Sequence, residues 1–391
     1  MAPGNIKIEE IPLDSPKLKD FVKFPWRLYH KDPCWTPQLN ADLLGSKLLG
    51  IKGILTSKHP YHRDAEVTHF MALRNGKAVG RISAAVNHEY NRFHNTKIGS
   101  FGFFETIEDY NVAEALLDNA RDWIAKRGMI TMRGPGEYSN ATHERQGILI
   151  DGFEYPPTVE LTHNPPYYGK FLDSYGFIKA KDYYAHSIEV TEELLDRALP
   201  FAKRLAKKVS PDVTTRPIDL RNLKYEVGVI VDIYNQAWSQ NWGFLPLTND
   251  DADVIADSLS IIADADIIHY AYIGDRPIAV MGNIPDPFYA LRPRWKWYGD
   301  SDYVRVLRLL LTRKNIPRVR SMFFGIVPEY QGTGVPTRLI LDVAAGMVRK
   351  RYSFMEASLL LEDNSKIINF IELFSGKRYK TWRIYDLPLD K

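Results

Sequence analysis

An apolar run, Phe323-Phe324-Gly325-Ile326-Val327, leads into Pro328-Glu329-Tyr330-Gln331-Gly332-Thr333-Gly334-Val335-Pro336-Thr337. The residue types predict a strand, a glycine-bearing turn and the opening of a helix. Such a turn gathers backbone N–H groups at a helix N-terminus. The helix dipole adds partial positive charge there, so the chemistry offered is the binding of an anion such as a pyrophosphate. Gly332 and Gly334 let the backbone approach a ligand with no Cβ in the way. Pro336 suits the start of a helix but removes one N–H donor.

The elements that must position this turn occur twice. Val67-Thr68-His69-Phe70-Met71-Ala72-Leu73 and Ile267-Ile268-His269-Tyr270-Ala271-Tyr272-Ile273 lie 200 positions apart. Each precedes a polar turn and a second apolar strand, Ala78 to Ala85 and Pro277 to Met281. Asn164 is followed twelve residues later by Gly176, and Asn364 twelve residues later by Gly376. Both intervals read as a helix closed by a C-terminal glycine, then an aromatic strand, at Asp182–His186 and Thr381–Tyr385. Helices are expected from Ala113 to Arg127 and from Thr337 to Arg351. Ala113, Leu116, Leu117, Ala120 and Ile124 share one face of the first, and Ile340, Val343, Ala344 and Met347 one face of the second. A repeat this long predicts two related domains rather than a solenoid.

The turn from Gln331 to Gly334 resembles the Gln/Arg-x-x-Gly-x-Gly/Ala signature of the GNAT (GCN5-related) acyltransferases, and the duplication extends the resemblance over nearly the whole chain. It implies an α/β fold (an α+β mixed sheet) of two tandem modules, each a twisted mixed sheet flanked by helices. The expected boundaries are 1–190 for the first module, 191–210 for a linking helix and 211–391 for the second. The resemblance further implies acyl-CoA as co-substrate. The N–H groups of Gly332, Thr333, Gly334 and Val335 would take its pyrophosphate, with Gln331 and Thr337 beside them. Gly325, Ile326 and Val327 would hydrogen-bond the pantetheine between two strands that part, the second being Phe354 to Leu361. A thioester is already activated, so placing an amine beside it is most of the task; orientation supplies up to about 7–11 kcal/mol in favourable cases.

Asn364 stands where family members often have an asparagine touching the coenzyme arm; read alone it is a helix N-cap. The tyrosine that commonly follows by seven residues is replaced by Ile371, with Glu372 next to it. Tyr379 or Tyr385 would then be the acid for the leaving thiolate. Glu372, Tyr379 and Asn364 are the expected catalytic residues. Asn283 and Asp286, in a turn-like stretch, and the aromatics Trp242 and Phe244 are the expected acceptor contacts.

The first module lacks the turn. After Phe101-Gly102-Phe103-Phe104 come Glu105, Glu108 and Asp109 and no glycine, and their charge opposes anion binding. One coenzyme site is therefore expected, in the second module. Arg133–Asn140 reads as loop, and a strand is expected over Thr158 to Thr162. His143-Glu144 and His163-Asn164 match no metal-ligand spacing, and Ser139 has no nucleophile elbow, so neither metal nor hydrolase is expected.

The 391 residues carry a formal net charge of +3, 45% apolar and 25% charged residues. That excludes a global attraction to nucleic acid and fits a two-domain globular chain. The one cysteine, Cys34, excludes an intrachain disulfide and points to a cytoplasmic setting. Nothing is apolar for long enough to span a bilayer. Leu291–Arg320 is basic, with nine Arg and Lys against two Asp. It reads as an amphipathic helix whose apolar face packs on its own sheet, the other reading being a phosphate-binding or membrane-touching surface. Three functions follow: an N-acyltransferase, acetylating by its family likeness, on a small amine or amino-acid-like acceptor; a non-catalytic acyl-CoA sensor; or an aminoacyl-tRNA-dependent transferase with Lys203, Arg204, Lys207 and Lys208 on its RNA surface. Near-neutral charge sets nucleic acid aside, and no membrane partner is expected.

Overall fold

The computed structural model describes residues 5–138, 145–206, 211–293 and 301–389. Ser139, His143, Glu144, Lys207 and Lys208 lie outside them. In chain order the elements are β1 (Ile6–Ile11), α1 (Leu18–Leu28), α2 (Asn40–Leu44), β2 (Ala65–Arg74), β3 (Lys77–Asn87), α3 (His88–His94), β4 (Ile98–Thr106), α4 (Tyr110–Ala125), β5 (Thr131–Gly136), β6 (Ile148–Asp151), α5 (Tyr167–Tyr175) and β7 (Ile178–Glu189). Then come α6 (Glu192–Ala206), β8 (Val213–Pro217), α7 (Leu223–Ala237), α8 (Asn249–Ile262), β9 (Ile268–Ile273), β10 (Arg276–Pro285), α9 (Phe288–Leu291), α10 (Asp302–Thr312), β11 (Arg318–Ile326), α11 (Val335–Lys350), β12 (Phe354–Leu361), α12 (Ser365–Leu373) and β13 (Lys377–Pro388).

The chain forms two units. The first takes in the chain up to Tyr183, the stretch Leu291–Val306 and the chain from Lys380; the second holds Tyr184–Ala290 and Leu307–Tyr379. The two repeat one plan. In the first, β1, β2, β3 and β4 are antiparallel neighbours, and β5 joins β4 in parallel. In the second, β8, β9, β10 and β11 are antiparallel and β12 joins β11 in parallel.

Hydrophobic periodicity makes the cores. On α4, Ala113, Leu116, Leu117, Ala120 and Ile124 are all fully buried, against Phe70, Ile82 and Met132 of the sheet. Each such large side chain contributes about 1.5–3 kcal/mol relative to exposure. On α11 the buried face is turned slightly from the expected one. Leu339, Val343, Gly346 and Met347 are its centre, while Ile340 and Ala344 sit at its margin. Gly346 explains the turn: a Cβ there would lie 1.8 Å from the Asp266 carbonyl oxygen, so the helix packs down where it has no side chain.

Several expectations are corrected. The supposed loop at Arg133–Asn140 begins as β5, through Gly134, Pro135 and Gly136. A Cβ on Gly134 would meet the Phe101 carbonyl oxygen at 2.3 Å, so these glycines serve close strand approach rather than a turn. Asn283 to Pro285, read as turn, completes β10 at a bulge between Gly282 and Asn283. No strand forms over 158–162. Gly376 does not supply the left-handed residue after α12; Ser375 does, at φ 65°. Gly376 instead passes Ile371, whose Cγ2 would lie 2.3 Å from a Cβ.

The units also divide the chain differently from the expected boundaries. Helix α6 belongs to the second unit, packed on α11. Residues 291–306 belong to the first, and Arg305 is the reason. Fully buried, it donates Nε to the Leu291 carbonyl (2.9 Å), Nη1 to that of Gln38 (2.9 Å) and Nη2 to that of Pro37. The apolar face of α10 does not pack on a sheet. Leu309 is buried, but Tyr303, Val304, Leu307, Leu310 and Leu311 are exposed, Leu311 by 74%.

Candidate functional site

In the second unit, β11 and β12 pair at Arg318–Phe354, Val319–Met355, Arg320–Glu356 and Ser321–Ala357, and there the pairing ends. β11 stays paired to β10 as far as Ile326, and β12 runs on to Leu361 without a further bond to β11. The facing edges beyond Ser321 and Ala357 are left without a ladder partner. Trp238 Nε1 reaches the Phe324 carbonyl at 3.4 Å, and Phe370 of α12 stacks on Phe324. Along this edge lie Gly325 and Ile326. Val327, which ends it, donates its N–H to the Ile278 carbonyl (2.9 Å).

The turn follows at once. Gly332 and Gly334 have φ of 78° and 83°, conformations that favour glycine. Gly334 caps α11, whose first residue is Val335 and second Pro336. Among the described residues nothing accepts from the N–H of Gly332, Thr333, Gly334 or Val335. Gln331, Gly332 and Thr333 are exposed. The Thr337 N–H is used by the Gly334 carbonyl (3.0 Å), and its side chain is buried. Gln331 Nε2 lies 3.4 Å from the Ile326 carbonyl oxygen, folding the turn back on its strand.

The remaining expected residues fall in different places. Asn364 caps α12, accepting from the Ile367 N–H at 3.4 Å. Glu372, on α12, is half-exposed, 3.7 Å from Nε2 of the buried His186. Tyr379 donates its phenol to Glu356, which also accepts from Ser358 Oγ (2.6 Å). Burial and the Glu356 charge hold the Tyr379 phenol well above its usual range. Tyr385 is core in the first unit. Asn283 is buried and donates to the Ile267 carbonyl (3.1 Å). Asp286 is buried, accepts from the Phe288 N–H (3.1 Å) and faces Arg318 at 3.7 Å. Phe244 is buried against Tyr234, a packing role, whereas Trp242 is half-buried in the same loop.

The first unit holds a cavity of about 110 Å³ that the linear sequence does not announce. It opens where β4 and β5 part after Gly102 and Gly136. Glu105 does not face a phosphate turn as expected. It points inward, accepting from Tyr29 (2.5 Å) and Tyr168 (2.7 Å), with Arg81 at 3.9 Å. Burial raises its carboxyl above the usual range, against the pull of Arg81. Of the other two carboxylates, Asp109 caps α4 and pairs with Arg74, and Glu108 is exposed. Glu137 accepts from Gln38 through both oxygens (2.9 and 2.8 Å), and Arg145 stands 3.8 Å away. His163, passed over in the sequence, donates to Asp32 from 131 residues away (2.9 Å). Burial would raise the Asp32 carboxyl; the His163 hydrogen bond and charge, with the N–H groups of Cys34 and Trp35, together outweigh it and hold the group low. Only the fold brings these residues together, which is why spacing gave no signal. Among the described residues no group of three or more metal-ligating side chains occurs, and no helix is long and apolar enough to cross a membrane.

Four antiparallel strands and a parallel fifth that parts from the fourth, present twice in one chain and joined in the second unit by a glycine turn into a helix, define the tandem GNAT fold. A tandem GNAT protein from the clavulanic acid biosynthesis pathway superposes with a TM-score of 0.57 at 10% identity, over 99% of each chain. A probable N-acyltransferase from Enterococcus faecalis V583 gives 0.52 at 8% identity, covering 99% of this chain and 73% of that one. In sequence, the chain is 29% identical to the bacterial ceramide synthase of Caulobacter vibrioides (strain NA1000 / CB15N), over 98% of both chains. It is 28% identical to Protein YghO of Escherichia coli (strain K12), over 96% of this chain and 93% of the relative. No family model matches the chain.

Proposed function

We propose that this protein is an acyl-CoA-dependent N-acyltransferase whose coenzyme is held by the second unit. One observation carries the reading: β11 and β12 part after Ser321–Ala357, and β11 then delivers a turn with four uncommitted amides at the N-terminus of α11. A pantetheine arm would lie along Gly325, Ile326 and Val327. The pyrophosphate would accept from Gly332, Thr333, Gly334 and Val335, and Asn364 would flank the arm. The neutral amine attacks the thioester carbonyl, the C–N bond forms, the C–S bond breaks to release coenzyme A as its thiolate, and the nitrogen gives up one proton. Glu372, the exposed carboxylate at the end of α12, is assigned as acceptor of that proton. Tyr379, committed to Glu356, is assigned to holding β12. Trp242 is assigned as the acceptor-side aromatic; Phe244, Asn283 and Asp286 are buried core residues.

A second reading concerns the acceptor. The Caulobacter vibrioides relative is named a ceramide synthase and aligns end to end with this chain. Ceramides are fatty-acid amides of long-chain amino alcohols, made by the same bond-forming step. The exposed Leu307, Leu310 and Leu311 on α10 favour a lipid acceptor over the small amine expected from sequence. Free-thiol release tests both. Acetyl-CoA and a long-chain acyl-CoA are supplied against a small-amine panel and a long-chain amino alcohol. Release only with the long-chain pair supports the lipid reading; none with any pair refutes catalysis.

A further inference from the structure

We propose that α10 is a docking helix for an anionic bilayer surface, with Leu307, Leu310 and Leu311 entering the headgroup boundary and Arg313 and Lys314 meeting lipid phosphates. Such docking fixes where the protein works rather than what it catalyses, and it is independent of the coenzyme site.

The helix is inverted. Tyr303, Leu307, Leu310 and Leu311 lie at i, i+4, i+7 and i+8, one face of a helix, with Val304 at its margin, and all five are exposed. The polar side chains are turned inward. Arg305 is fully buried, bonded to three carbonyls of the first unit. Arg308 donates Nε to the Ala290 carbonyl (2.6 Å) in the second. Of the four leucines on α10, Leu309 alone is buried. A surface helix ordinarily shows its charges to water and its leucines to the core. Here an uncharged apolar stripe faces water instead, and a contiguous stripe of that kind marks an interaction site.

The cations at its end select the partner. Directly after α10, Arg313 and Lys314 occupy a short 3-10 turn and are exposed. Arg313 gives Nη1 to the Ile261 carbonyl (3.0 Å), a neutral acceptor, and no carboxylate pairs with either cation among the described residues. Basic side chains at the rim of an apolar face lay their stems along it and reach the headgroups with their charge, and each adds to the attraction for an anionic leaflet. The eleven residues of α10 rise about 16 Å, too little to cross a hydrocarbon core of about 30 Å and enough to lie along its boundary. A second copy of the chain would cover the leucines but offer these cations nothing from the same helix. Its carboxylate, Asp302, is already taken by the Ala41 N–H (2.8 Å), Asn40 (3.1 Å) and Arg305 (3.6 Å). An anionic bilayer answers both the stripe and the charge.

The test is flotation of the full chain with vesicles of phosphatidylcholine alone and of phosphatidylcholine mixed with phosphatidylglycerol, with no coenzyme or acceptor present. The expected result is binding to the anionic vesicles at least roughly tenfold stronger than to the neutral ones, and weakened by salt. Leu307→Ser and Leu311→Ser combined should weaken it at least roughly tenfold. Arg313→Gln and Lys314→Gln should each weaken it roughly fivefold. Hydrogen exchange reads the same contact in the unmutated chain, even if a variant fails to fold: amides of residues 302–315 should exchange more slowly on anionic vesicles, and those of α4 should not. No binding to anionic vesicles, or binding that all these variants leave unchanged, overturns the proposal. So does a lipid-free dimer in sedimentation equilibrium that Leu311→Ser dissociates, which gives the stripe to a second copy.

Discussion

Ser321 and Ala357 are the last facing residues of the parallel pair β11 and β12; beyond them the two strands are no longer bonded to each other. Parallel strands hold together through evenly spaced bonds, so a ladder that stops within two long strands leaves two open edges. β11 leads from this opening into Gly332–Val335, where four amides have no acceptor among the described residues. The proposed coenzyme site is the meeting of these features.

A negative charge on that turn should oppose a diphosphate. Thr333→Glu is exposed and should leave the melting temperature of the free protein unchanged within a degree or so. The rise in melting temperature with acetyl-CoA, expected by mass action, should shrink or vanish. Gly334→Val adds backbone strain at φ 83° and should lower stability by roughly 1–2 kcal/mol as well. A Thr333→Glu protein that keeps the full coenzyme shift would remove these amides from the site.

Tyr379→Phe separates structure from chemistry. Losing the phenol leaves the buried Glu356 with fewer donors, a cost on the order of 1–3 kcal/mol. Denaturant unfolding should show that loss, with kcat at saturating acyl-CoA changed less than about threefold, well under the 10²-fold and more expected of a general acid. A large fall in kcat with unaltered stability would make Tyr379 the acid after all.

Arg305 fastens residues 291–306 to the first unit through three carbonyls. Arg305→Leu keeps bulk yet strands those acceptors, and each buried orphan costs on the order of 1–3 kcal/mol. Thermal melting should show a drop of many degrees, and limited proteolysis should cut near residue 293 much faster than in the parent. Unchanged cutting would mean the segment is held by other means.

Acid should weaken the first unit through His69. Burial drives its pKa down to about 4, and its ring is held neutral between the Ile11 carbonyl and the Tyr138 hydroxyl. The folded value lies below the unfolded value of about 6.5. Between these, the unfolded chain binds a proton that the folded chain refuses, so stability falls as pH drops through that window. The contribution is about 3 kcal/mol at most. His69→Gln should flatten the slope of melting temperature against pH between about 6.5 and 4, whatever its absolute stability; an unchanged slope would assign the acid sensitivity elsewhere.

The α10 stripe separates the two acceptor readings. Leu307→Ser and Leu311→Ser lie at exposed positions and should alter stability by no more than about 0.5 kcal/mol. Under the lipid reading, turnover of a long-chain amino alcohol presented in vesicles should fall severalfold while that of any soluble amine is unaffected. Equal effects on both would leave the stripe without a role in acceptor delivery.

The duplicated hairpins, the helix face of α4 and the glycine turn were legible in the sequence, because each is a local pattern; the face of α11 was read slightly off, because Gly346 lets that helix pack down. Side-chain period and turn chemistry act over a few residues, and a repeat preserves their order. The division of the chain was not legible. Leu291–Val306 sits among second-module residues in sequence, and the buried carbonyls of Pro37 and Gln38 that accept from Arg305, with Asn40 and Ala41 donating to Asp302, place it in the first unit. Gly134 and Gly136 misled for a related reason: glycine marks turns and close strand contacts alike, and composition cannot separate them.

What the sequence determined by itself was the fold and one candidate ligand turn, since periodicity and glycine placement are sufficient causes of both. What the tertiary structure decided was chemistry at a distance. Asp32 and His163, or Gln38 and Glu137, meet only after the β-sheet has formed, and whether a polar atom is satisfied or idle is a property of that packed surround. The physical reason is that hydrogen bonds and burial act through space, while sequence spacing records only separation along the chain.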